Sequence, residues 1–257
     1  MKTQPRMKKE VHLTGRDLMN MVQLRPEDIG KYAVVPGPKE RLDGFLKSGI
    51  KNPIKNFSFM EYTMYTGEFA GTKVTSINGG RYSADTAITT EILCCAQAKH
   101  MIRMGSCGAL SEDIKIGDLI VVDSALRGDG VTPYYVDEDV NFQPTADRIL
   151  TENLFEMAKA SGYTVHRGKV WSTDAILRET QKYVGRAMDQ GAIAVDMVTA
   201  VFLTICQLYK IPATAILAVS DNVINGELGF LDTNYYMAEH SMIGITLKLI
   251  EKLEKQH

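Results

Sequence analysis

The 257-residue chain lacks any run approaching the roughly 18 consecutive apolar residues of a membrane-spanning helix. It also lacks a block of like charge. Its 29 Lys and Arg against 31 Asp and Glu leave a formal charge of −2, so nucleic acid and membrane are poor partners. Cysteine is scarce: Cys94, Cys95, Cys107 and Cys206 form no CxxC pair and have no histidine at ligand spacing. That argues against a zinc site and a disulfide framework, and for a reducing, cytoplasmic setting. Residues 1–10, MKTQPRMKKE, are polar and basic, without the apolar stretch of a signal peptide. They read as a flexible tail ahead of a domain spanning residues 11–257.

What is present is alternation. KYAVVP, residues 31–36, reads as a short buried strand ended by Pro36 and Gly37. Residues 62–79 read as two alternating strands around a glycine turn, followed by a helix over 83–99 with Ile88, Ile92 and Cys95 on its apolar face. HMIRMG is a strand, as are residues 117–126, 164–173 and AIAVDM; ATAILAVSDN is a continuous apolar run with a polar end. Helices are expected at 147–161, 200–209 and 236–255. No internal repeat or low-complexity linker interrupts the pattern, which favours one α/β domain with a mainly parallel or mixed central sheet. In such sheets ligands bind beyond the carboxyl ends of the strands, so the polar residues there are the candidates for chemistry.

One candidate is RMGSCGAL, residues 103–110, which sets a permanent cation at the end of an apolar run before two glycines. A guanidinium is not buried unpaired, so Arg103 should meet a protein carboxylate or a bound anion. VVPGPKER, residues 34–41, sets Gly37 after a strand and Arg41 four residues on. A free backbone N–H and an arginine suit an oxyanion, although Gly-Pro there also reads as a plain turn. Together with Gly105 and Ser106 these residues make a candidate phosphate site. In AVSDN, Asp221 ends a strand; partial burial would raise its pKa and let it donate a proton, whereas the alternative is a helix cap.

These segments, in this order, resemble the nucleoside phosphorylase family of the hexameric purine nucleoside and uridine phosphorylase type. The resemblance runs from about His12 to the last helix. It implies a three-layer α/β/α domain with a mixed central sheet, of the phosphorylase/hydrolase-like kind. VVPGPKERL looks like the family's phosphate loop, which makes Gly37 and Arg41 phosphate ligands, and IRMGSCGAL assigns Arg103 and Ser106 to the same anion. AVDMVTA stands where the family holds the ribose, pointing to Asp196 and Met197, and VHLTGRDL resembles a segment placing His12 near the ribose 5′ end of a neighbouring subunit. TDAILRET stands at the base, with Ile176 in place of an aromatic residue and Arg178, Glu179 or Gln181 as candidates to hydrogen-bond it. SDN matches the purine type, in which the aspartate, here Asp221, protonates the leaving base; ALRGDG resembles a uridine phosphorylase segment. The implied reaction is phosphorolysis of an N-glycosidic bond to free base and pentose 1-phosphate, in nucleotide salvage. Inorganic phosphate is the co-substrate and no metal or organic cofactor is needed. The implied assembly is a homo-oligomer built from dimers, a hexamer.

The pattern departs from the family in four places. Met60 stands where the family takes a further phosphate-binding arginine from the adjacent subunit, and Arg81 is the candidate to compensate. Val198 stands at the glutamate that holds the ribose diol, with Asp196 two positions away. Each lost charged hydrogen bond weakens binding by roughly 1.5–3 kcal/mol. Ile176 and Leu177 replace an aromatic platform for the base, and Pro38 and Lys39 replace the Asp-Pro of the phosphate loop. The leading expectation is a purine nucleoside phosphorylase with uridine phosphorylase as the alternative. A hydrolytic nucleosidase is disfavoured by the two arginines, which water would not need. A non-catalytic nucleoside-binding relative is kept open by Met60 and Val198.

Overall fold

The computed structural model describes residues 11–137 and 139–256. The expected tail at 1–10 lies outside them. The elements in chain order are α1 (Gly15–Met21), β1 (Tyr32–Val35), α2 (Lys39–Lys47), β2 (Lys51–Phe59), β3 (Tyr62–Phe69), β4 (Thr72–Ile77), α3 (Ser83–Cys95) and β5 (His100–Ala109). There follow β6 (Leu119–Gly128), α4 (Thr132–Tyr135), α5 (Arg148–Lys159), β7 (Val165–Thr173), α6 (Gln181–Asp189) and β8 (Ala192–Asp196). The chain ends with α7 (Thr199–Leu208), β9 (Ala213–Asn222), the short β10 (Glu227–Leu228) and α8 (Thr233–Lys255).

The strands form one mixed sheet in the order β10-β9-β6-β7-β8-β5-β1-β4-β3-β2, and β9 also pairs with β5. That extra pairing closes β5, β9, β6, β7 and β8 into a ring. β5 makes this possible by changing neighbours along one edge: His100–Arg103 pair with β1, whereas Gly108 and Ala109 pair with β8. Its other edge runs parallel to β9 throughout. A strand so enclosed buries both faces, which explains its near-continuous apolar character.

Alternation sorts the side chains into two cores. Met101, Cys107, Ala215, Leu217 and Val219 face a core shared with Ile92 of α3 and Phe202 of α7. Ile102, Met104, Ile216 and Ala218 face the other, with Phe45 of α2, Leu154 of α5 and Leu249 of α8. Helices on both faces of a mixed sheet make the expected three-layer α/β/α domain. Among the described residues, no helix is long and apolar enough to cross a membrane.

The structure corrects the sequence reading at the point that matters most. β5 does not end at the first glycine but runs on through Ala109, so Arg103 lies inside a strand and not at a glycine turn. By sequence parity Arg103 shares the face of Met101 and Cys107, towards α7. β2, α2 and α6 were not anticipated either. β2 is mostly exposed with little alternation, which leaves no periodic signal.

Candidate active site

A cleft of about 520 Å³ opens at the carboxyl ends of β5, β8 and β9. Its buried wall is built around Arg103. The guanidinium donates through Nη2 to Asp196 Oδ2 at 2.9 Å and through Nε to Thr199 Oγ1 at 3.1 Å. Its remaining nitrogen, Nη1, is buried and has no hydrogen-bond partner among the described residues. Burial works against the cation, and the Asp196 charge opposes that loss. Asp196 is held in turn by the Ser172 hydroxyl at 2.6 Å, the Thr199 hydroxyl, and the Thr199 backbone N–H at 3.0 Å at the start of α7. A carboxylate is well placed at a helix N-terminus, where the free N–H groups point at it. Arg103 therefore has a carboxylate partner in the protein, and its Nη1 is left without one.

Arg41 comes from α2, just after the loop that follows β1. It ion-pairs with Glu239 of α8, donating through Nε at 3.0 Å. Its Nη1 donates to the carbonyls of Pro36 at 2.6 Å and Met104 at 3.1 Å. Gly37 turns the loop with φ +83° and leaves room for this arginine: a Cβ there would lie 3.3 Å from Arg41 Nη1. Arg81 also lines the cleft but is exposed, with its guanidinium 5.5 Å from the Tyr82 ring centre and no ion pair among the described residues.

The glycines of RMGSCG are explained by what lies over them. A Cβ on Gly105 would come within 2.6 Å of the Arg103 guanidinium, and one on Gly108 within 2.8 Å of Asp221 Oδ2. Each glycine clears space for one charged side chain. The register between β5 and β9 slips after Cys107–Val219, so that Ser220 is skipped and Asp221 stands opposite Gly108. Such a bulge re-aims the side chain that follows it. Asp221 Oδ1 accepts from the Ser220 hydroxyl at 2.7 Å; burial raises its pKa, and that hydrogen bond partly counters the rise. The residue sits on a strand, so the helix-cap alternative does not hold. Close by, Glu179 is pushed up to about 7 by burial and by the Asp221 charge. Burial also raises the Cys107 thiol, with Asp196 and Asp221 adding to the effect, which keeps it neutral and poorly nucleophilic.

Of the residues singled out from sequence, Arg41, Arg81, Arg103, Ser106, Ile176, Asp196, Met197 and Asp221 line this one cleft, with Gly37 beside Arg41. Two expectations meet a different arrangement. The Asp196 side chain is fully buried with both oxygens engaged, so it has no free edge for a sugar diol. Arg178 is exposed on the turn Ile176–Arg178 and does not line the cleft. His12 is exposed and lies outside the cleft lining of its own chain; its expected place is at the ribose of a neighbouring subunit. Val198 packs in a small core with Ala87, Cys94, Val201 and Ile205. Met60 is 77% exposed at the β2–β3 turn. Sequence reasoning missed Tyr82, Phe230, Tyr235 and Glu239. Tyr235 and Glu239 are four residues apart on α8, a helical spacing that carried no functional mark in the sequence. Among the described residues, no group of three or more His, Cys, Asp or Glu could hold a metal ion.

With this geometry in view, residues 31–251 match the Phosphorylase superfamily, and the chain belongs to that family. It is 29% identical over 204 residues to a purine nucleoside phosphorylase, DeoD-type, of Jannaschia sp. (strain CCS1), covering 79% of this chain and 86% of the relative. It is 28% identical over 236 residues to a uridine phosphorylase of Thermococcus kodakarensis, covering 84% and 82%. A guanosine phosphorylase of Halorubrum lacusprofundi is 25% identical over 232 residues, covering 88% and 95%. The crystal structure of uridine phosphorylase from Vibrio fischeri ES114 has the same fold, with a TM-score of 0.79, 21% identity, and 90% and 95% of the two chains covered.

Two outcomes follow from these contacts. Gly105→Ala drives a methyl group into the buried guanidinium and should destabilise the protein by about 1–3 kcal/mol in urea unfolding; wild-type stability would mean the Arg103 side chain does not rest on Gly105. Glu179 holds its proton more tightly folded than unfolded. Its contribution to stability is therefore complete below pH about 4.5 and is lost as pH rises through about 7. Glu179→Gln should flatten the fall in melting temperature across that window, and an unchanged slope would show that Glu179 titrates normally.

Proposed function

We propose that the protein is a nucleoside phosphorylase, a pentosyltransferase that uses inorganic phosphate to split a purine nucleoside into free base and pentose 1-phosphate. The observation that carries this reading is the buried, unpartnered Nη1 of Arg103 at the cleft. An unmet donor there costs about 1–3 kcal/mol, a penalty that a bound oxyanion removes. The relatives named purine nucleoside, guanosine and uridine phosphorylase support the same chemistry.

In this reading Arg103, Arg41, Arg81 and Ser106, with the backbone N–H of Gly37, hold phosphate below the sugar. A phosphate oxygen attacks the anomeric carbon while the bond to the base breaks, its electron pair passing to the base. The anion faces the cationic, oxocarbenium-like centre that develops between them. Asp221 enters protonated and gives its proton to a ring nitrogen of the leaving base; its raised pKa supports that role. Met197 packs against the sugar and Ile176 against the base, with Tyr82 and Phe230 adding planar surface. Arg41 and Arg103 already carry Glu239 and Asp196 as counter-charges, so Arg81 supplies the positive charge that the protein has not neutralised. The reaction runs without metal or organic cofactor. The enzyme acts in the cytoplasm as a dimer-based homohexamer, in which His12 serves the ribose of a neighbouring subunit. Exposed Val11, Leu13, Phe59 and Met60 support burial of these segments between subunits. Uridine is the second reading, supported by the Thermococcus relative.

A panel of inosine, adenosine, guanosine, uridine and their 2′-deoxy forms, assayed with and without phosphate, tests the reading. Base release that requires phosphate is expected, with purines preferred. Release without phosphate would make the protein a hydrolase, and binding without release would make it a non-catalytic relative. With no free carboxylate at the diol, ribosides and 2′-deoxyribosides should react at similar rates. In the same assay Arg81→Ala should raise the KM for phosphate by about tenfold or more; an unchanged KM would remove Arg81 from the phosphate site.

A further inference from the structure

Arg41 lines the cleft with both edges of its guanidinium already engaged. Nη1 donates to the carbonyls of Pro36 at 2.6 Å and Met104 at 3.1 Å, which ties the side chain to the loop after β1 and to β5. The opposite edge, Nε and Nη2, carries the two parallel N–H groups with which a guanidinium grips a two-oxygen anion. Both donate to a single oxygen, Oε1 of Glu239 on α8, Nε at 3.0 Å. Tyr235, one helical turn earlier, donates to the same Oε1 at 3.4 Å. Among the described residues Glu239 Oε2 makes no hydrogen bond. One carboxylate oxygen is therefore crowded and the other idle, which is not the two-oxygen fork that suits an arginine.

Glu239 is the replaceable half of this pair. Its side chain is 23% exposed against 6% for Arg41, and Arg41 is also fixed by two backbone carbonyls. Asp196, the counter-charge of Arg103, differs: its side chain is 0% exposed and accepts from Ser172 and Thr199 as well. We propose that Glu239 competes with phosphate for the Nε–Nη2 edge of Arg41 and gives way when the anion presents two oxygens to it. This rests on the phosphorylase reading and deepens it. Phosphate makes the two parallel hydrogen bonds that Oε1 alone does not. The displaced carboxylate turns towards solvent, because a like charge left beside the anion would repel it. Glu239 is thus a positioning residue that acts through Arg41 and sets the KM for phosphate.

The test compares wild type with Glu239→Gln, which keeps the shape of the side chain and removes its charge. The KM for phosphate should fall about three- to tenfold while the KM for nucleoside stays within about twofold. Calorimetric titration with inorganic phosphate alone should show the same gain independently of turnover. In an Arg41→Met background Glu239→Gln should bring no gain, because nothing is left to compete for. Phosphate binding that is unchanged or weaker in Glu239→Gln would overturn the proposal, as would an equal gain in the Arg41→Met background. A crystal structure of the wild type with phosphate checks the same point without a variant. Phosphate oxygens should sit on Nε and Nη2, with Glu239 Oε1 beyond about 4 Å from Nε; phosphate bound beside an intact Arg41–Glu239 pair would overturn the proposal. Should no nucleoside be cleaved, the phosphorylase reading fails, and tighter phosphate binding by Glu239→Gln would still support the competition.

Discussion

The ion pair between Arg103 and Asp196 is the contact on which the cleft depends. Two opposite charges taken out of water are tolerated only when their remaining hydrogen-bonding groups are met. Here the obligation is distributed over four elements: Arg103 from β5, Ser172 from β7, Asp196 from β8 and Thr199 from α7. The pair therefore fixes how those strands and that helix meet. One nitrogen is left over, without a hydrogen-bond partner among the described residues, in a side chain that lines the cleft. A structural ion pair and a ligand site are usually rival explanations for a buried arginine; here the first does not exclude the second, because a guanidinium has five N–H donors and a carboxylate takes few of them.

From that fixed point the cleft acquires polarity. Arginines on β5 and α2 collect at one end, each partly neutralised by a carboxylate from a different element. The strand bulge at Ser220 delivers Asp221 to the other end, over Gly108. Burial raises the Asp221 and Glu179 pKa values, which favours their neutral forms without any change in residue type. The cleft thus sets arginines at one end and carboxyls farther along β5.

Much of the fold was legible along the chain. β1, β3, β4, β6, β7, β8, β9 and the helices α3, α5, α7 and α8 announce themselves by apolar runs or helical periodicity, and both faces of β5 are apolar because both are covered. The arginine, serine and aspartate of RMGSCG and SDN were also visible, since permanent charge at the end of a buried run demands a partner. The identity of that partner was not. Asp196 lies 93 residues from Arg103, and Glu239 lies 198 from Arg41. No local spacing couples residues so far apart.

The division has a physical cause. Residue type and periodicity depend on a few neighbours in the chain, so burial pattern, helix and strand, and the presence of an anion-seeking arginine are local properties. The continuation of β5 through its glycines is not local, because it depends on pairing with β9 and β8, strands far away in sequence. Nor is the engagement of Asp196, which turned an expected sugar ligand into the counter-charge of Arg103. Tyr235, Glu239 and Glu179 join the cleft only because α8 and the β7–α6 segment pack against strands far away in sequence. Composition and order determined an α/β protein with an arginine set in a buried apolar run; tertiary packing decided which of its donors stays unmatched and which carboxyls line the cleft.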